Sequence, residues 1–223
     1  MVFASEPEAQ EILIDRYLVA AELQGIRPSL VLNKIDLLSL EAQKEYLQRF
    51  QHYRDMGYDL IQASTKGNHG LAPLCQALKG ANNVFVGQSG VGKSSLVNML
   101  LENDSARVAE ISDSNQKGRH TTTAATLYHC PTGGNIIDSP GIREFGLWHI
   151  EPERLINGFI DFKPFIGHCQ FRNCTHDNEK GCALTAAAKQ GKIQPLRLTN
   201  YHRIMKTILE SSHLANSAQK PTN

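Results

Sequence analysis

The chain has 223 residues, 41% of them apolar, enough for one globular nucleotide-binding domain and a smaller appendage. No stretch approaches the roughly 20 apolar residues that cross a bilayer, and the opening MVFASEPEAQ lacks the basic start and apolar run of a secretory leader, so a cytoplasmic protein with no membrane partner is expected. The net charge of +1 hides an asymmetry: residues 1–150 hold 13 Lys and Arg against 16 Asp and Glu, net −3, whereas residues 151–223 hold 10 against 6, net +4, a balance that suits a nucleic-acid-facing C-terminal part.

In chain order, residues 1–5 read as the end of a strand and residues 8–25 as a helix closed by Gly25. Residues 28–35 form a short apolar run of the kind that makes a buried parallel strand. A second helical pattern covers residues 40–56, a strand 59–64, and a short helix 71–78. Residues 83–86 read as a strand that feeds a glycine-rich loop, and 94–101 as the helix after it. Residues 124–129 and 135–137 read as two strands of a hairpin. Strands alternating with helices predict an α/β fold with a largely parallel sheet. After Trp148 the alternation stops. Residues 151–159 and 195–209 look helical with a Cys/His cluster between them, which places a boundary near residue 150: domain 1–150, then a small helical domain 151–223.

Gly87-Gln88-Ser89-Gly90-Val91-Gly92-Lys93-Ser94 fills the pattern G-x-x-x-x-G-K-[ST] and sits between an expected strand and an expected helix, where Ser95 continues the first turn. Glycines there let successive backbone N–H groups point at phosphate oxygens. Lys93 supplies a charge to the β- and γ-phosphates, and the Ser94 hydroxyl is a Mg²⁺ ligand. The base is chosen elsewhere. Asn33-Lys34-Ile35-Asp36, at the end of an apolar run, has the N-x-x-D spacing of a guanine reader. The Asp36 carboxylate can accept from the N1–H and 2-amino groups of guanine, and adenine would leave it unpaired. Asn33 can tie neighbouring loops together and the Lys34 stem can cover the base. Ala63-Ser64-Thr65-Lys66-Gly67 resembles the remaining base-contacting loop. Asp138-Ser139-Pro140-Gly141 matches D-x-x-G, with Asp138 for Mg²⁺ through water and the Gly141 N–H for the γ-phosphate.

The order is unusual. GTPases place the phosphate loop before the guanine motif, whereas here Asn33–Asp36 precedes Gly87–Ser94 and D-x-x-G comes last, so the chain reads as a circularly permuted P-loop GTPase. A sheet depends on which strands are neighbours, not on where the chain begins.

Cys169-x4-Cys174-x-His176-x5-Cys182 offers three thiolates and an imidazole, a set suited to one structural Zn²⁺ with no open position. His168 is an adjacent, weaker candidate. The odd count of five cysteines argues against a disulfide framework, and Cys75 and Cys130 read as small apolar residues. Lys163, Arg172, Lys180, Lys189, Lys192, Arg197, Arg203 and Lys206 surround the cluster, with Phe171 and Tyr201 among them, a composition compatible with RNA phosphates and stacking.

The permuted order, Gly118-Arg119-His120-Thr121-Thr122-Thr123, Asp138 through Gly146 and the Cys/His cluster together resemble the RsgA (YjeQ) family, the small-ribosomal-subunit-dependent GTPase A. The resemblance covers nearly the whole chain. It implies a GTPase of low intrinsic activity, stimulated by the small ribosomal subunit and acting late in its maturation; the subunit and its rRNA are the expected partners and a monomer the expected state. It also implies Thr122 on Mg²⁺ and the γ-phosphate, and a catalytic His120. Ile142 stands where many GTPases carry the Gln that orients the attacking water, and His120 is then the candidate for that task. The family carries an N-terminal OB-fold ahead of the GTPase domain. Here the reading starts inside the first strand, which is the expectation for a clipped start, and tight ribosome binding by this chain alone is not expected. The alternative function is a nucleotide-stabilised RNA-binding scaffold with little catalysis.

Overall fold

The computed structural model describes residues 1–66, 70–102, 108–109, 126–130, 133–138 and 150–218. The chain divides into two compact units, one of Met1–Ala9 with Ser29–Glu144 and the other of Gln10–Pro28 with Phe145–Asn223.

The first unit holds the strands. β1 (Val2–Ala4), β2 (Ser29–Asn33) and β3 (Asp59–Gln62) form a parallel sheet in that order, with Phe3 opposite Leu32 and Val31 opposite Ile61. The apolar residues of β1 and β2 and Ile61 of β3 are buried, as continuous apolar runs of parallel strands require. A second sheet runs β4 (Asn82–Val84), β7 (Asn135–Asp138), β6 (Thr126–His129), β5 (Val108–Ala109). β4 and β7 are parallel, while β5–β6 and β6–β7 are antiparallel. The expected hairpin is therefore present, and the short β5 is an addition that two residues could not signal. The Val2 N–H donates to the Val86 carbonyl at 2.7 Å, so the start of β1 lies beside the chain leaving β4.

Helices α2 (Leu40–Arg49), α3 (Gln51–Asp55), α4 (Leu71–Leu78) and α5 (Lys93–Glu102) complete this unit. The Ser39 hydroxyl caps α2 by accepting from Ala42 N–H at 3.2 Å. The single helix expected over 40–56 is broken at Phe50, whose fully buried ring packs edge-on to Phe3 at 4.8 Å. The core contains Val31, Ala63, Leu74, Leu96, Val97 and Ile136, with Cys130 buried in it and Cys75 packed against it, as their apolar reading anticipated.

The second unit is helical: α1 (Glu11–Leu23), α6 (Pro152–Leu155), two 3-10 turns over Ile156–Gly158 and Ile160–Phe165, α7 (Ala183–Lys189) and α8 (Pro195–Ala218). The sequence had assigned α1 to the segment before residue 150, and the structure groups it with the C-terminal elements instead. The cause is packing. Val19 and Ala20 of α1 share one core with Leu155, Phe159, Phe162, Leu184, Leu198, Tyr201 and Ile204. A Cβ at Gly158 would meet a Val19 side-chain carbon at 2.6 Å, so that close approach needs glycine. A charge cluster completes the core. Arg197, 1% exposed, donates from Nη1 to Asp15 at 2.6 Å and from Nε to Asp161 at 3.1 Å, and its guanidinium lies 4.7 Å from the Phe159 ring centre. Asn200 Nδ2 donates to the other Asp15 oxygen at 2.7 Å. Arg197, counted above among the basic residues available to RNA, is thus a buried structural residue.

Candidate functional site

The guanine motif and the phosphate loop meet within the first unit. β2 delivers Asn33 into the interior, where its Nδ2 donates to the Val91 carbonyl at 2.9 Å, 58 residues away in sequence. The Asn33 carboxamide oxygen is buried with no protein partner, an acceptor left for a ligand or water. Asn33 therefore stitches the two motifs together, the tying role expected of it. Gly92 permits the stitch: its φ is +89°, and a Cβ there would lie 2.4 Å from Asn33 Nδ2. Gly87 is equally constrained, at φ +144° with its absent Cβ 2.0 Å from the Val2 carbonyl oxygen. The loop is thus shaped by β1 behind it and by Asn33 inside it.

Within the loop Val91 is buried, Gln88 is half-buried, and Ser89, Gly90, Ser94 and Ser95 are exposed. Lys93 opens α5 and curls back, its ammonium donating to the Gly87 and Gln88 carbonyls at 2.7 Å each. Those bonds hold the charge over the concavity where phosphates bind in loops of this type.

On the base side, Lys34 takes a left-handed conformation (φ +61°) and its Nζ donates to the Glu6 carbonyl at 2.9 Å. That turn starts a 3-10 helix, Ile35–Leu37, that presents Asp36. The Ser64 hydroxyl donates to Asp36 Oδ1, and Lys66 Nζ lies 3.6 Å from Oδ2. Ser64 is itself fixed by the Lys66 N–H, which donates to its Oγ at 2.9 Å. The Ser64 bond is the main reason the Asp36 carboxyl sits below the usual carboxylate range, with Lys66 adding to it. The carboxylate is therefore charged at neutral pH, as a double acceptor for guanine must be. Sequence reading placed Ser64 in a base-contacting loop; its hydroxyl as a partner of Asp36, and Lys66 as a charge partner, emerge only once β3 is set beside β2.

Asp138 ends β7, which pairs with β4 directly before the phosphate loop. His120, Thr122 and Gly141 lie outside the described residues.

The Cys/His cluster forms in the second unit. One ligand atom from each of Cys169, Cys174, His176 and Cys182 lies within 4.8 Å of the other three. Sulfurs on a tetrahedral Zn²⁺ at 2.3 Å stand about 3.8 Å apart, so a small contraction would seat the ion and the donor set fits it. His176 Nδ1 faces the Cys169 and Cys182 sulfurs at 3.4 and 3.6 Å, which makes Nδ1 the ligating nitrogen. Burial lowers the His176 pKa, favouring the neutral imidazole a metal needs, and pushes the Cys174 thiol up to about 12, a proton that a cation must displace. Sequence reading missed Glu179. Its Oε1 accepts from the Thr175 N–H at 2.7 Å and from the Thr175 hydroxyl at 2.6 Å, closing the turn after Cys174. His168 is outside the four-residue group.

A family model described as RsgA GTPase matches residues 1–148. The small ribosomal subunit biogenesis GTPase RsgA of Hahella chejuensis is 50% identical over 211 residues, 94% of this chain and 60% of that protein. The protein of the same name from Vibrio cholerae is 50% identical over 207 residues, 92% of this chain and 54% of its own. This chain thus spans about 60% of the length of the curated relatives it matches. Among solved structures, YjeQ from Thermotoga maritima superposes with a TM-score of 0.77 at 31% identity, covering 93% of this chain and 69% of that one. YloQ, a circularly permuted GTPase, gives 0.74 at 30% identity, covering 100% and 69%.

Proposed function

The chain belongs to the RsgA GTPase family, and from that premise and its site we propose that it binds GTP with Mg²⁺, hydrolyses it to GDP and phosphate, and assists a late step in assembly of the small ribosomal subunit. One observation carries the nucleotide part: Asn33 joins the guanine motif to the phosphate loop by a single buried bond to Val91. Base and phosphates are then read by one connected framework.

In this reading Asp36, held by Ser64, accepts from the guanine N1–H and 2-amino groups. Lys93 exchanges its two loop carbonyls for β- and γ-phosphate oxygens, and the N–H groups of the loop and of the first turn of α5 take the remaining phosphate charge. Ser94 and Thr122 are the proposed Mg²⁺ ligands, Asp138 acts through water, and the Gly141 N–H contacts the γ-phosphate. Bound Mg²⁺ neutralises charge on the β- and γ-phosphate oxygens. His120 orients the attacking water, because Ile142 offers no amide for that purpose. The water oxygen forms a bond to the γ-phosphorus as the bond to the β,γ-bridging oxygen breaks, and the water protons end on phosphate. A structural Zn²⁺ on Cys169, Cys174, His176 and Cys182 orders the helical unit, whose exposed basic residues contact rRNA. The protein acts as a cytoplasmic monomer. Its relatives' name, small ribosomal subunit biogenesis GTPase, supports the choice of partner.

The test is single-turnover hydrolysis with and without small subunits, with ATP as the control nucleotide. GTP turnover is expected to rise with the subunit while ATP is neither bound nor cleaved. His120→Ala is expected to slow the subunit-bound reaction by roughly 10²–10⁴-fold with GTP affinity nearly unchanged. Turnover near wild type would remove His120 from the mechanism, and absence of guanine-nucleotide binding would remove the reading itself.

A further inference from the structure

The four metal-binding residues are contributed by one loop, yet that loop is tied to a helix outside it. His176 is one of only three non-glycine residues among those described whose backbone has a positive φ, at +66°. Asn178, two residues on, is another, at +62°. Positive φ is uncommon outside glycine, with His and Asn among the side chains that adopt it most readily, and a contact on the His176 backbone biases the turn toward it. The holding contact is visible. His202, in the second turn of α8, places its Nε2 2.8 Å from the His176 carbonyl oxygen. A carbonyl only accepts, so Nε2 carries the proton and donates. This fixes the His202 tautomer.

We propose that His202 is a positioning residue of the metal centre: its Nε2–H clamps the His176 carbonyl, locks the left-handed turn, and so keeps His176 Nδ1 aimed at the three sulfurs. The inference rests on reading Cys169, Cys174, His176 and Cys182 as a zinc site. Three observations join in it. Nδ1 of His176 already faces two of the sulfurs. The bond to His202 spans 26 residues, so it anchors the ligand loop to a separate element and does not merely decorate the turn. The anchoring helix is rooted in the core of the unit by Tyr201 and Ile204, buried before and after His202 in sequence, and by the buried Arg197 five residues earlier. A core-rooted helix holding the ligand's backbone lowers the ordering that metal binding must otherwise impose, and partners hydrogen-bonded to the ligands themselves, which tune affinity about 10–100-fold, set the scale.

The experiment uses the full chain loaded with Zn²⁺ and titrated with a competing chelator, with a parallel Co²⁺ titration read by its visible absorption. His202→Ala is expected to weaken Zn²⁺ binding by about 10–100-fold. In the Co²⁺ form it should retain thiolate-to-metal bands, since all four ligands remain, while the ligand-field bands shift as the His176 nitrogen is held less firmly. His202→Gln, whose amide N–H can reach the same carbonyl, is expected to recover most of the lost affinity. Thr199→Ala, an exposed change on the same helix, should leave affinity at the wild-type value. Equal affinity in wild type and His202→Ala, or loss in His202→Ala that His202→Gln does not recover, overturns the clamp. A wild-type chain that takes up neither Zn²⁺ nor Co²⁺ overturns the zinc reading and the clamp together, and is told apart from the first outcome by the metal content of wild type alone.

Discussion

The two units hold their charged groups differently. In the strand-bearing unit the functional groups line an open rim: Ser89, Ser94 and Ser95 are exposed, Lys93 is parked on loop carbonyls, and Asp36 is held by one hydroxyl and one exposed lysine. In the helical unit one charged cluster is inside. Arg197, Asp15 and Asn200 are buried together, and the Cys/His cluster closes on itself. A nucleotide site must admit and release its ligand, so its contacts are kept exchangeable. A small helical body instead needs contacts that do not exchange; the buried charge cluster serves that need, as the proposed Zn²⁺ would.

Metal removal is the strongest way to break this contrast. Structural Zn²⁺ supplies on the order of 10 kcal/mol in isolated zinc peptides, so chelation is expected to erase hydrogen-exchange protection through 169–182 and α7. It should also lower protection in α1, which shares their core, while β1–β3 stay protected and guanine-nucleotide affinity holds. A collapse of nucleotide affinity together with the metal would show that the two units are not independent. Protection unchanged in α1 would detach that helix from the C-terminal body.

A smaller effect is expected from Arg197→Ala, which leaves Asp15 and Asp161 without their guanidinium. Breaking a buried ion pair from one side costs about 3–5 kcal/mol, to be read as lost exchange protection in α1 and α8. A change under 1 kcal/mol would mean that water reaches this cluster and that the contrast in burial is overstated.

The smallest expected effect sharpens the open side. Ser64→Ala removes the hydroxyl that keeps the Asp36 carboxyl low and is expected to weaken GDP binding by roughly 1 kcal/mol, about fivefold, at neutral pH. The sign with pH follows from the direction of the shift. A depressed carboxyl is charged above its ordinary range, and its contribution is lost as pH falls through the depressed value. Without the Ser64 bond that loss begins at a higher pH, so GDP affinity measured down an acid series should fall earlier in the variant. Superimposable pH profiles would show that Ser64 does not set the charge of Asp36.

Sequence by itself determined the parts whose chemistry is carried by neighbours along the chain. The phosphate loop needs glycines and a lysine within eight residues, the guanine motif four adjacent residues, and the Cys/His cluster four donors within 14. Local backbone conformation suffices to bring such groups together, so spacing announces them. The α/β pattern was legible for the same reason, since periodicity is local. What tertiary structure decided are contacts between residues far apart: Ser64 with Asp36, Asn33 with Val91, His202 with His176, and Arg197 with Asp15, the last 182 positions apart. A polar residue leaves no periodic mark that names a distant partner. Arg197 looked like one more basic residue open to RNA, and α1 like part of the domain that ends near residue 150. Burial against the C-terminal core gave both their role, because an arginine taken out of water must find carboxylates and those carboxylates lie on other elements.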